Sequence, residues 1–316
     1  MKNLTRAITL TASILSTTSL HAGEVVVYAA HGDDVTGAIL DAFRARHTDI
    51  DVTLVVGKTG DMFQRIKAEA GNPAADMMWG GSIQSYEVFA DLFAPFENEN
   101  EASMAFVDPD HKWQAFTVFA QPLMVNTDLV DEANYPSTVA EVLDRKWDDL
   151  GGVVLADPND SGTGHTIVSG LAGGMGWDFT TELIKRVRPT PGSDPMFTAV
   201  RDGEAALGWV NEDLGAKWEA EGLPVKMIYP TDGLTVQVDA YGLVAGGPNP
   251  EDARKLMAFI GSTEGQILAV EVVKRRSPRS NVPPPGELPA LASLPLFPEV
   301  EPRSVIKAKF TDIRSQ

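Results

Sequence analysis

The sequence predicts an α/β protein assembled from two successive strand–helix units. Three observations carry this. Apolar runs short enough for buried strands alternate with stretches whose apolar residues recur at helical spacing, Gly-containing breaks separate them, and the pattern starts again near residue 116.

In the first unit, Glu24-Val-Val-Val-Tyr28 is apolar enough for a buried parallel strand. Val35, Ile39, Ala42 and Phe43 then mark one helical face. Asp51 to Val56 is a second strand, broken by Gly57-Lys-Thr-Gly60, and Met62, Phe63, Ile66 and Ala70 follow at helical spacing. Ala75 to Trp79 is a third strand, and Gly80-Gly81-Ser82 turns the chain into another helix. Such alternation gives a parallel sheet whose ligands collect beyond the C-terminal strand ends. Residues 31–33, 57–61 and 80–82 are thereby expected around one mouth.

The second unit opens on the apolar run Phe116 to Val125. Thr138 and Glu141 read as a capping box before a helix, and Gly152 to Ala156 as a strand. Asp157-Pro-Asn-Asp-Ser-Gly-Thr-Gly164 leads into a helix, Asp178 is placed to cap another, and Asp194-Pro195 starts a third. Ala206 to Val210, Pro224 to Tyr229 and Val236 to Val244 read as strands. Asn249-Pro250 begins a late helix, and Thr263 with Gln266 suggests a further capping box. Residues 282–302 hold seven prolines and cannot be one helix; their interleaved Leu and Phe residues predict a wrapping tail.

Residues 1–22 read as an export signal: Lys2 and Arg6 precede an uncharged stretch that ends near Ala22 and is too short and too rich in Ser and Thr to span a membrane. The remaining 294 residues are long enough for one large domain or two ordinary ones. The chain has no Cys, which excludes disulfides, thiolate metal sites and a thiol nucleophile. Without Lys2 and Arg6, 44 acidic residues face 24 basic ones, a net charge of −20 that repels nucleic acid and anionic lipid. No P-loop, Gly-x-Ser-x-Gly elbow or His-Glu-x-x-His pair is present, and His31, His47, His111 and His165 are too far apart for a local metal motif. No cofactor is expected.

The pieces Val25 to Tyr28, Leu40-Asp-Ala-Phe43, Ile66 to Pro73, Ala75-Asp76, Trp79 to Ser82, Asp157-Pro158, Ser161 to Gly164, Asp202-Gly-Glu204 and Ser262-Thr-Glu-Gly265, in this order, resemble type 2 periplasmic solute-binding proteins of ABC importers, in the ferric-iron and phosphonate branch. The resemblance implies a two-lobed fold with a hinge of crossing strands, near Gln121 and near Val238-Asp239, and a permease and an ATPase at the inner membrane as partners. The expected lobes are 23–120 with 241–279, and 121–240 with 280–316, in a periplasmic monomer. A chemosensory use of the fold is a close alternative, and a secreted enzyme is the rival of a different class.

Iron binders of this branch resemble one another in a pair of adjacent tyrosines, where this chain has Trp209-Val-Asn-Glu-Asp-Leu214. Their first-loop His matches Gly32, one residue after His31, and their acidic residue matches Gly81 or Ser82. The expected cargo is therefore a small organic anion, a phosphonate such as 2-aminoethylphosphonate or a sugar phosphate, with ferric iron as the alternative. Ser161, Gly162, Thr163 and Gly164 open a helix whose free N–H groups suit an oxyanion, although Ser and Thr also cap helices routinely. Gly81, Ser82, Lys58 and His31 are further candidates, and Glu212 and Asp213 are candidate acceptors for an ammonium or hydroxyls at the other end of the ligand.

Overall fold

The computed structural model describes residues 23–286, 288–298 and 301–316. The predicted export signal lies outside the described residues.

The first lobe begins with β1 (Gly23–Ala29), α1 (Asp33–Arg46), β2 (Ile50–Val56), α2 (Thr59–Ala68), β3 (Met77–Ser82), α3 (Ile83–Val88) and the short β4 (Phe93–Ala94). β5 (Gln114–Gln121) then runs into β6 (Leu123–Asn126) of the second lobe. There β7 (Val154–Ala156), α4 (Gly162–Gly174), α5 (Gly176–Arg186), β8 (Arg188–Thr190), α6 (Ser193–Arg201), β9 (Leu207–Trp209), α7 (Glu212–Ala220) and β10 (Val225–Ile228) follow. β11 (Thr235–Val244) returns to the first lobe, which α8 (Pro250–Gly261) and α9 (Thr263–Glu271) complete. The chain ends on α10 (Arg303–Ser315).

The first sheet has the order β2-β1-β3-β11-β4, with β5 also pairing β11. β2, β1 and β3 run parallel, as the strand–helix alternation requires, but β11 lies antiparallel to β3 and β5, so the sheet is mixed rather than parallel throughout. The second lobe carries an antiparallel β10-β6-β9 sheet and a parallel β7-β8 pair. β5 and β11 are the crossing strands expected near Gln121 and Asp239; Thr235 pairs with Gln121 and Asp239 with Thr117.

The cores follow this division. Val25, Ile39, Phe43, Met77 and Tyr241 pack together in the first lobe, whereas Leu123, Leu155, Ile167, Ile184 and Val200 form the second core, which Ile306 and Phe310 of α10 join. Every residue of β3 is buried, as befits a strand covered on both faces. The buried Tyr86 hydroxyl lies 3.2 Å from the carbonyl of Met78 and 3.0 Å from those of Gly80 and Ala240, pinning α3 onto the β3–β11 seam.

Several local expectations shift. Glu141 does reach back, accepting from Ser137 and Thr138, but only two short 3-10 stretches follow, at Ala140–Leu143 and Arg145–Leu150. Ser262 rather than Thr263 caps α9, and Gln266 turns inward to the carbonyls of Phe116 and Ile260. Asp178 lies inside the first turn of α5, not at its cap. The proline-rich tail wraps as predicted: Phe297 N–H donates to the Leu234 carbonyl, and Leu234 N–H to that of Pro295.

Candidate functional site

The strand ends of the first lobe meet the crossing strands at one point. Gly80 and Gly81 have φ of +101° and +88°, a left-handed conformation that favours Gly. A Cβ on Gly80 would lie 2.7 Å from the His31 ring, and one on Gly81 would lie 2.6 Å from Thr59, so both glycines let neighbours close in. Ser82 pairs in register with Asp239. The register of β11 against both neighbours shifts at Asp239, and such bulges re-aim side chains at sites.

Asp239 is the hub. Its Oδ2 lies 3.2 Å from His31 Nε2 and 3.1 Å from the Arg275 guanidinium, and its Oδ1 accepts from Gln237 at 2.9 Å. Burial pushes the Asp239 carboxyl up, but the bond and charge of His31 and the charge of Arg275 outweigh it and hold the group below the usual carboxylate range. Arg275 also donates to Asp213 Oδ2 at 2.9 Å and lies over the Phe119 ring. The other Asp213 oxygen is buried without a hydrogen-bond partner among the described residues. A groove of about 1520 Å³ reaches this network, lined by Asp34 and Val35 from the first lobe, Asn211 and Asp213 from the second, and Arg275. Its lining includes neither Thr163 nor Arg303.

Glu212 does not serve the cleft, and here the sequence reading is corrected. Its buried carboxylate accepts two bonds from Arg276, at 2.6 and 2.8 Å, one from Ala120 N–H at 2.8 Å and one from the Tyr229 hydroxyl at 3.0 Å. Four donors leave it no capacity for a ligand; it locks α7 to the hinge. Lys58 is exposed at the N-cap of α2.

At α4, Ser161 is the N-cap: its hydroxyl accepts from Gly164 N–H and its carbonyl from His165 N–H, both at 3.0 Å. Gly164 is a packing residue, since a Cβ there would lie 2.2 Å from the Ala156 carbonyl oxygen. The N–H groups of Gly162 and Thr163 and the Thr163 hydroxyl find no partner among the described residues, and nothing lies within 4 Å of a Cβ placed on Gly162. His165 Nε2 is likewise buried and unpartnered. Burial, then the charges of Arg303 and Lys307, depress the His165 pKa to about 4, which keeps the ring neutral at pH 7.

Arg303, at the start of α10, reaches across to the first lobe, with one guanidinium nitrogen 3.5 Å from the Ser85 hydroxyl, itself 3.4 Å from that of Ser82. The structure thus sorts the candidates into two groups joined through Ser82. One is a donor group of Gly162, Thr163, His165 and Arg303; the other is the ionic network of His31, Asp239, Arg275 and Asp213. Sequence reasoning missed His165, Asp239, Arg275 and Arg303. The spacing of Arg303 and Lys307, four apart after Pro302, was the available signal for a basic helix face.

Among the described residues, no group of three or more His, Asp or Glu stands ready to hold a metal ion, and no helix is long and apolar enough to cross a membrane. The family model for bacterial extracellular solute-binding proteins matches residues 29–267. Iron uptake protein A1 of Synechocystis sp. is 26% identical over 314 residues, covering 92% of this chain and 82% of that protein. The fold is shared with the periplasmic binding protein AfuA from Actinobacillus pleuropneumoniae, solved with fructose-6-phosphate, at a TM-score of 0.81 and 20% identity over 93% of this chain and 99% of the other. Iron-bound HitA from Pseudomonas aeruginosa matches with a TM-score of 0.78 and 20% identity over 92% and 99%. Two solved ferric-ion-binding proteins share it too, as does a Trichodesmium protein solved with iron and citrate. The chain belongs to the bacterial extracellular solute-binding proteins.

Proposed function

We propose that this protein takes up its cargo as an oxyanion, or together with one, at the N-terminus of α4. The carrying observation is the set of unspent donors there: two backbone N–H groups and the Thr163 hydroxyl, at the positive end of a helix, where anions are stabilised. The similarities to iron-carrying proteins back ferric iron better than a phosphonate or sugar phosphate, which corrects the ranking drawn from the missing tyrosine pair. In the iron version, the oxyanion accompanies a ferric ion and supplies hard anionic oxygen in place of the tyrosine phenolates that the segment Trp209 to Leu214 lacks. In the other version, the phosphate ester or phosphonate is itself the cargo, and Asp213 accepts from its far end. Both versions use the same donors at α4.

Calorimetry separates them. A solute-binding protein for phosphate esters or phosphonates binds a hexose 6-phosphate or 2-aminoethylphosphonate without iron. The iron version binds ferric citrate, with bound iron saturating at one ion per chain by metal analysis, and binds the phosphates weakly. In either case, Thr163→Val weakens binding about tenfold. Full affinity in that variant, with folding intact, would contradict the assignment. We further propose a monomer with lobes at 23–120 with 241–279 and at 121–240 with 280–316, partnered by a permease and an ATPase, and working by binding rather than catalysis.

A further inference from the structure

Building on the oxyanion reading, we propose that Arg303, the first residue of the C-terminal helix, is the cation that grips the bound oxyanion and couples its capture to closure of the lobes. α10 is fixed in register along the loop that leads into α4. Asn159 donates to the Thr311 hydroxyl at 3.2 Å, and one turn earlier Lys307 donates to the Asn159 carbonyl at 2.6 Å. Arg303 stands a further turn along the same helix face, where its charge is felt by His165 of α4. From there it crosses to Ser85 on the first lobe.

What distinguishes Arg303 is that, among the described residues, it has neither a counter-charge nor more than one hydrogen-bond acceptor. Arg275 is paired with Asp213 and Asp239, Arg276 with Glu212, and Arg279 donates to Asn100, Asn281 and the Gly261 carbonyl. Among the described residues Arg303 has only the Ser85 hydroxyl at 3.5 Å, although it is substantially enclosed, and burial lowers its pKa. A guanidinium withdrawn from water without a carboxylate is costly, and an incoming oxyanion removes that cost. Its fork matches a phosphate or carboxylate in a bidentate fashion. His165 Nε2, buried and unpartnered, and the free N–H groups of Gly162 and Thr163 belong to the first turn of α4, whose His165 feels the Arg303 charge. Because α10 packs on the second core and Ser85 belongs to the first lobe, an anion that bridges Arg303 and the Ser85 hydroxyl is gripped from both lobes only when the two are close.

The test is calorimetry on the full chain and on Arg303→Gln and Arg303→Lys, with inorganic phosphate, a hexose 6-phosphate, 2-aminoethylphosphonate and ferric citrate as probes and the unphosphorylated hexose as control. The expected result is binding of at least one oxyanion by the unaltered protein, weakened about tenfold to a hundredfold by Arg303→Gln and less by Arg303→Lys. For the hexose 6-phosphate, affinity rises in the unaltered protein as the second proton leaves near pH ~6, and Arg303→Gln flattens that rise. The melting temperature of the empty protein stays unchanged in Arg303→Lys. Equal affinity and an equal pH profile in both variants, with Thr163→Val still weakened, would overturn the role of Arg303 and leave the α4 site standing. Failure of the unaltered protein to bind any of these oxyanions would overturn both.

Discussion

Thr163 places its hydroxyl beside two N–H groups that α4 cannot itself use, so Thr163→Val should lower affinity while leaving the stability of the empty protein within about 0.5 kcal/mol. His165 gives a pH signature. Its folded pKa of about 4 lies below the ordinary 6.5, so between these values the unfolded chain binds a proton that the folded chain does not. Stability is therefore full above pH ~6.5 and falls as the pH drops toward 4, by an amount on the order of 3 kcal/mol, and His165→Gln should abolish that part of the decline in urea titrations. The depressed Asp239 carboxyl also stabilises the fold above its ordinary range and is lost on acidification, but only at lower pH, so the two effects separate. Glu212→Gln leaves the buried Arg276 uncompensated and should cost about 3–5 kcal/mol by denaturant unfolding. The role of Glu212 was not legible in sequence, because its partner lies 64 residues away and a carboxylate at a helix start reads as ordinary.

Local pattern sufficed for elements such as α1, whose inward face Val35, Ile39, Leu40 and Phe43 repeats at helical spacing. It did not reveal that β11 runs antiparallel to β3, since pairing partners such as Leu243 and Met77 are far apart in the chain. α10 escaped notice although Ile306, Phe310 and Ile313 keep helical spacing, because the prolines before it dominated the reading of the tail. The tail itself docks through Phe297, whose ring lies 1.9 Å from where a Cβ of Gly174 would sit and equally close to one on Gly233. Gly174→Ala should therefore displace the tail and cost about 1–3 kcal/mol, measured by thermal or urea unfolding, whereas the open position Gly71 has no such neighbour.

The whole molecule is two lobes joined by β5 and β11, with charge pairs and Arg303 reaching across. Such an arrangement should move as a hinge. Small-angle scattering should show the radius of gyration falling when cargo saturates the protein, and falling less in Arg303→Gln; light scattering should give the mass of one chain throughout. The measurement that tests the central claim most directly is a crystal structure of the protein with the cargo it retains through purification, identified in parallel by mass spectrometry. The account predicts an oxyanion with oxygens within about 3 Å of the N–H groups of Gly162 and Thr163. A cargo seated elsewhere, with those donors bonded only to water, would contradict it.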